Sequence, residues 1–234
     1  NSWTHPEVWH YPNANGINGE SIDWNIAKIS DNIVSNNRDI TLLGLLSTSN
    51  VLDMEGVTDI SKGSGTGNAL TITHYLDLNG TIDLNGESQL VQSENSQISG
   101  TGKIERDQQG TASSYNYNYW SSPVLPDSIS TNYKVKEILF DGSAVGTNKF
   151  KSINFSRPHN YADGAKSDPI KISDYWINTF RARKANDYSQ WEQIGSNTSI
   201  KPGEGYTMKG TQDIDVKEGK LQNYTFNGFP NNGD

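Results

Sequence analysis

The sequence predicts an all-β chain: a short right-handed β-solenoid followed by a β-sandwich or jelly-roll-like unit. Three observations carry this. Apolar residues fall at every second position around residues 70–84, the period of a strand with one buried face. No segment reads as a convincing helix; the best stretch, residues 20–34, is rich in Asn and β-branched residues. Hydrophobic residues are only 32% of 234 and the mean hydropathy is −0.71, which suits many short strands sharing a narrow core. With 10% aromatic residues and clear strand patterns, the low hydrophobicity does not read as disorder.

Residues 1–25 hold Trp3, Trp9, Tyr11 and Trp24 among Pro, Asn and Gly, with no regular period, and read as an aromatic-rich lead-in or cap. Residues 26–108 read as the solenoid. Short apolar patches (Ile26/Ile29, Ile33/Val34, Ile40/Leu42, Leu45/Leu46, Val51/Leu52) are separated by Asn, Gly, Ser or Asp. Leu70, Ile72, Leu76, Leu78, Ile82 and Leu84 then alternate with polar residues, and Leu-Asp-Leu-Asn-Gly at 76–80 is echoed by Ile-Asp-Leu-Asn-Gly at 82–86. Asn-Gly between alternating runs is also a hairpin signal, so a β-meander is the rival architecture. Residues 109–125 read as a connector with an aromatic run, Tyr115, Tyr117, Tyr119 and Trp120. Residues 126–234 read as the sandwich, with strands expected at 134–140, 148–155, 174–182, 188–194, 204–209 and 221–226 between turns such as Asp141-Gly142 and Lys201-Pro202-Gly203.

The net charge of −8 and pI of about 5.0 disfavour nucleic acid as a partner, because an acidic surface repels phosphate. The absence of cysteine excludes disulfides, thiol nucleophiles and Cys-based metal sites. No long apolar run predicts membrane insertion. Four Asn-x-Ser/Thr sites (Asn79, Asn154, Asn197, Asn223) read as chance in an Asn-rich chain. Neither end reads as a natural terminus, so a piece of a longer protein is expected.

Several motifs carry a resemblance. Glu87-Ser-Gln-Leu-Val-Gln92, Gly100-Thr-Gly-Lys-Ile-Glu-Arg106 and Tyr117-Asn-Tyr-Trp-Ser-Ser-Pro-Val124 are similar to a module of very large Bacteroidota surface proteins. Lys201-Pro-Gly-Glu-Gly-Tyr-Thr-Met-Lys-Gly210 and Tyr224-Thr-Phe-Asn-Gly-Phe-Pro-Asn-Asn-Gly233 resemble it too. The resemblance implies export by the type IX secretion system to the outer surface of a Gram-negative bacterium, within a long adhesin-like protein. Its implied partners are other domains of that chain and, during export, the secretion machinery. It transfers no catalytic residue.

The function expected is therefore a non-catalytic structural or adhesive module. One aromatic-basic cluster points to a ligand: Trp176, Phe180, Tyr188 and Trp191 surround Arg181, Arg183 and Lys184, a set able to bind an acidic surface glycan and to make the chain a carbohydrate-binding module. The favoured alternative is core packing, since period-2 spacing of Trp176, Asn178 and Phe180 would turn those rings inward. Tyr119-Trp120 is a second candidate platform, with Trp120 expected instead to pack between the two units. A polysaccharide lyase would need a His or Tyr base; His74-Tyr75 and Arg157-Pro-His159-Asn-Tyr161 are the candidates, and no Gly-x-Ser-x-Gly elbow supports a serine triad. Lys201–Lys209 is no phosphate loop, because no Gly-Lys-Ser/Thr opens a helix. Asp53/Glu55/Asp59 and Asp213/Asp215 could supply oxygens to Ca²⁺, but no EF-hand spacing appears, and solvated surface is the favoured reading; no cofactor is expected.

Overall fold

The computed structural model describes residues 25–59, 64–94, 96–156, 164–181, 190–211 and 221–232. The lead-in expected at residues 1–24 lies outside them. The all-β class stands, built from several sheets.

The first half contains β1 (Ile26–Ile29), β2 (Ile33–Val34), β3 (Ile40–Ser47), β4 (Val51–Met54), β5 (Val57–Asp59), β6 (Ser64–Thr66), β7 (Ala69–Leu78), β8 (Thr81–Leu84), β9 (Gln89–Gln92), β10 (Gln97–Gly100) and β11 (Lys103–Thr111). Successive strands go to different sheets. β1, β3 and β7 pair in parallel, with β9 and β10 both on β7, while β2, β4, β8 and β11 form a second parallel row. β5 and β6 make a small antiparallel hairpin.

Parallel pairing stacks like on like. Ile33, Leu52, Ile82 and Ile104 form one column, and Leu45, Leu76 and Ile98 another. The buried members, Leu45, Leu52, Leu76, Ile82 and Ile104, form an aliphatic interior. The echoed Asn-Gly pairs turn corners here. β7 and β8 lie in different sheets, so Asn79-Gly80 does not close a hairpin between them. The Asn79 side chain accepts the Thr101 N–H at 3.3 Å, and Asn32 accepts the Val51 N–H at 3.0 Å, so corner side chains bond the next turn of chain. Glycine is required at Gly102, where a Cβ would meet the Gly80 carbonyl oxygen at 2.3 Å.

The second half contains β12 (Tyr117–Trp120), β13 (Val124–Leu125), the one-turn helix α1 (Val135–Ile138), β14 (Leu139–Asp141), β15 (Lys151–Ser152), β16 (Asn154–Ser156), β17 (Lys171–Ser173), a 3₁₀ turn (Asp174–Trp176), β18 (Asn178–Phe180), β19 (Trp191–Gln193), β20 (Tyr206–Lys209) and β21 (Leu221–Pro230). β21 joins the halves. It runs antiparallel to β11 from Ile104↔Gly228 to Thr111↔Leu221, and its other edge takes β14 and β13. β12, β20, β18 and β19 make a separate four-stranded antiparallel sheet. One continuous hydrophobic cluster runs from Ala27 to Phe226.

Three local expectations change. Residues 134–140 begin with the turn of α1 rather than in strand, which buries Val135 and Ile138 together. The stretch 109–125 contains the end of β11, all of β12 and β13, so it is largely paired strand. In 174–182 the 3₁₀ turn precedes β18, and the alternation runs on with its faces exchanged: Ile177 and Thr179 are fully buried, while Phe180 is 42% exposed.

Candidate functional site

The four-stranded sheet has one inward and one outward face, set by its registers. Inward, Trp120, Tyr206, Met208, Ile177 and Thr179 meet the core. Trp120 meets Tyr224 edge-on at 5.0 Å and Phe226 at 6.0 Å between ring centroids, and so packs against the strand that pairs with β11. Its ring lies on Gly110, where a Cβ would come within 2.4 Å of it, which explains a glycine inside β11.

Outward, the pairings Tyr117↔Lys209, Tyr119↔Thr207, Asn178↔Thr207, Asn178↔Gln193 and Phe180↔Trp191 give three rows. The middle row, beyond Tyr119, is polar: Thr207, Asn178 and Gln193. The row on one side is Tyr117 and Lys209, joined by Trp176 from the 3₁₀ turn. The row on the other is Phe180 and Trp191. The two outer rows are four residues apart along the strands, about 13 Å at strand rise. The result is an open groove of about 540 Å³ over Tyr117, Tyr119, Tyr175, Trp176, Asn178, Trp191, Gln193 and Thr207.

The rings brace one another. Trp191 meets Phe180 at 5.2 Å and Tyr119 at 6.4 Å; Trp176 meets Tyr175 at 4.8 Å and Tyr117 at 6.5 Å. Edge contacts of this kind fix ring orientation. Burial, with Tyr119 and Tyr175 nearby, raises the Tyr117 pKa, so the phenol stays a neutral hydrogen-bonding group. The Lys209 ammonium sits 3.8 Å from the Trp176 ring centroid and 5.4 Å from that of Tyr117.

Of the residues singled out in the sequence, Trp176 and Trp191 line this groove and Phe180 flanks it. They do so from the outward face, which corrects the expectation that Trp176 and Phe180 turn inward. Arg181 is spent elsewhere: its Nε bonds Glu204 at 2.9 Å and its Nη1 bonds Glu192 at 2.9 Å. Bonding to Glu204 holds the guanidinium pKa above its usual value. Burial opposes ionisation of Glu204, but bonds from Arg181, the Lys201 N–H and Thr179 leave its pKa lowered. Tyr188, Arg183 and Lys184 lie outside the described residues, as do Arg157, His159, Tyr161, Asp213 and Asp215. His74 and Tyr75 lie exposed on β7 and do not line the groove. Gly203, at φ +77°, makes the expected turn before β20.

Tyr117, Lys209, Asn178, Gln193 and Thr207 are groove residues that the sequence reading did not assemble. The alternation Tyr206, Met208 inward against Thr207, Lys209 outward was the signal for Lys209.

A second polar cluster lies on the parallel row. Asp53, Asp83 and Glu105 are in register across β4, β8 and β11. Asp83 accepts bonds from Asn85 at 3.1 Å and from Thr147; Glu105 accepts the Asn148 N–H at 2.8 Å. Burial, reinforced by Asp53 and Asp107, pushes Asp83 up to about 6. Burial, reinforced by Asp83 and Asp107, pushes Glu105 up to about 7. Among the described residues no group of three or more His, Asp or Glu side chains is placed to hold a metal ion. Asp53 instead accepts a bond from Asn85 at 2.8 Å, and Glu55 accepts the Asn37 N–H at 3.0 Å.

The family described as Domain of unknown function (DUF8693) matches residues 3–234, and the chain belongs to it. No curated protein and no solved structure matches the chain.

Proposed function

We propose that this protein is a non-catalytic adhesive module in which a stiff β-solenoid supports a sandwich-like unit, and that the groove on that unit binds carbohydrate. One observation carries the binding reading: Tyr119, Phe180 and Trp191 are 69%, 42% and 39% exposed, mutually braced, and gathered on the outward face of one sheet beside a strip of Thr, Asn and Gln. Core packing does not require rings there. Sugar rings present apolar C–H faces flanked by hydroxyls, so a braced aromatic surface with a polar floor complements them.

The parallel columns of like residues, with corner Asn and Gly bonding the next turn, support the solenoid reading of residues 26–108. The antiparallel sheet of β12, β20, β18 and β19 supports the sandwich reading of the second unit. Export by the type IX system to the outer surface, within a longer adhesin, belongs to the same proposal and rests on the motif resemblance. A lyase is the weaker reading, because among the described residues the titratable groups at the groove are its tyrosines and Lys209, with no His, Asp or Glu beside them.

The test is a glycan array probed with the chain and with Trp191→Ala. Saturable binding to a defined glycan set, lost in the variant while circular dichroism stays unchanged, is the expected result. Silence of the parent chain on every glycan would remove carbohydrate binding and leave a spacer.

A further inference from the structure

Resting on the carbohydrate reading, we propose that the groove is specific for an acidic chain, one built with uronic acid residues, and that Lys209 is the residue that reads the carboxylate.

Two features set this ammonium apart. First, its charge is held but not cancelled. It lies over the Trp176 and Tyr117 rings, whose quadrupoles attract a cation without neutralising it, and among the described residues no carboxylate pairs with it. Arg181, by contrast, is neutralised twice over by Glu204 and Glu192. Second, its surroundings are chosen against the trend of the molecule. The chain carries a net charge of −8, yet among the described residues those lining the groove include no Asp or Glu. A cation on an aromatic wall, in a groove whose described lining holds no carboxylate, is an attractive spot for an anion on an otherwise repulsive surface.

The geometry also divides the labour. Lys209 covers the Trp176 ring, so that end recognises charge rather than a sugar face. The Trp191, Phe180 and Tyr119 end, which has no cation over it among the described residues, stacks the sugar. Asn178, Thr207 and Gln193 lie between, where hydroxyls would fall. Densely sulfated chains are held by clusters of bases; the one lysine that the described residues place at the groove matches the single negative charge per ring of a uronate.

The experiment uses the full chain with polygalacturonate, alginate and hyaluronan as the acidic arm. Fully methyl-esterified polygalacturonate and a neutral galactan form the neutral arm, and dextran sulfate the sulfated arm. Binding to the uronates is expected, weakening as NaCl rises from about 0.05 to 0.5 M, a range over which charge screening becomes strong. Lys209→Met is expected to weaken it about tenfold or more, the size of a lost charge-assisted contact, while Lys209→Arg retains it. Melting temperature and near-ultraviolet dichroism check that the variants fold. Equal binding to the methyl ester and the free acid, or indifference to Lys209→Met, overturns the acidic specificity while leaving the stacking groove in place. Preference for dextran sulfate overturns the uronate assignment. Loss of all glycan binding in the parent chain overturns the carbohydrate reading itself, and the two failures are thereby distinguishable.

Discussion

The parallel rows of the first half and the four-stranded antiparallel sheet of the second use side chains in opposite ways. In the parallel rows the interior is aliphatic and columnar (Leu52 over Ile82 over Ile104), and the described apolar residues left outside, such as Ile26, Val34 and Val91, are mostly aliphatic and form no braced ring cluster. In the antiparallel sheet aromatic rings occupy both faces: Trp120 and Tyr206 within, Tyr119 and Trp191 without. The difference teaches where to look for function. Rings that fill the interior are explained by packing; rings braced against each other in solvent are not needed by the fold. Perturbing each region should therefore have different consequences.

The largest effect is expected where the regions meet. Trp120 contacts Tyr224 and Phe226 of the strand that pairs with the last parallel strand. Trp120→Ala should cost about 3–5 kcal/mol, the usual range for deleting a large aromatic from a core. Because the hydrophobic cluster is continuous, the loss should appear as one shifted transition in chemical denaturation. Two transitions, one unchanged, would show that the halves unfold independently and would break the comparison at its root.

Ile82→Ala attacks the parallel column. Ile82 is fully buried between Leu52 and Ile104, so about 2–5 kcal/mol is expected. The groove should still bind its ligand below the new transition. Loss of binding in the folded variant would mean that the column also shapes the groove.

These two sites also mark how much the sequence disclosed. The parallel region was readable because each short strand buries one face between Asn/Gly corners, so the period survives from Leu70 to Leu84. What the sequence alone left open was whether Asn79-Gly80 closes a hairpin or turns a corner, since both need the same residues. In the second half the period misled at one point. The alternation holds through Trp176, Asn178 and Phe180, but Ile177 and Thr179 take the buried face, so Phe180 faces out rather than in. Trp176 and Trp191 were found by composition, but the partners that make them a groove come from β12 and β20, far along the chain. Arg181 failed as a ligand residue for the same reason. Its neutralising Glu204 lies across the sheet, and no local pattern announces an ion pair of that kind.

A smaller, pH-dependent effect should separate the regions. Asp83 and Glu105 have folded pKa values raised to about 6 and about 7, so the folded state holds their protons more tightly than the unfolded chain does. Their stabilising contribution is complete below the ordinary carboxylate pKa. It is lost as pH rises through about 6 for Asp83 and about 7 for Glu105. Melting temperature should accordingly fall between pH 5 and pH 8. Glu105→Gln keeps an acceptor for the Asn148 N–H and cannot ionise, so the fall should flatten. The facing charges, Asp53, Asp107 and Lys103, remain in that variant, so a residual slope from Asp83 is expected. An identical pH profile in parent and variant would refute the buried-carboxylate account.

The smallest effect on stability is expected at Trp191, and that smallness is informative. The ring is 39% exposed and rests on Phe180 and Tyr119. Trp191→Ala removes two ring contacts, one edge-on and one tilted, each worth about 0.5–1.5 kcal/mol at most, from a surface rather than a core. Its melting temperature should stay near that of the parent, unlike that of Trp120→Ala, although both residues are tryptophans on the same sheet. If glycan binding is nevertheless lost, the contrast between the two residues separates the ring that holds the fold from the ring that meets a ligand. If instead Trp191→Ala destabilises the chain as strongly as Trp120→Ala, the outward rings are part of the packing, and the groove loses its claim to be a site.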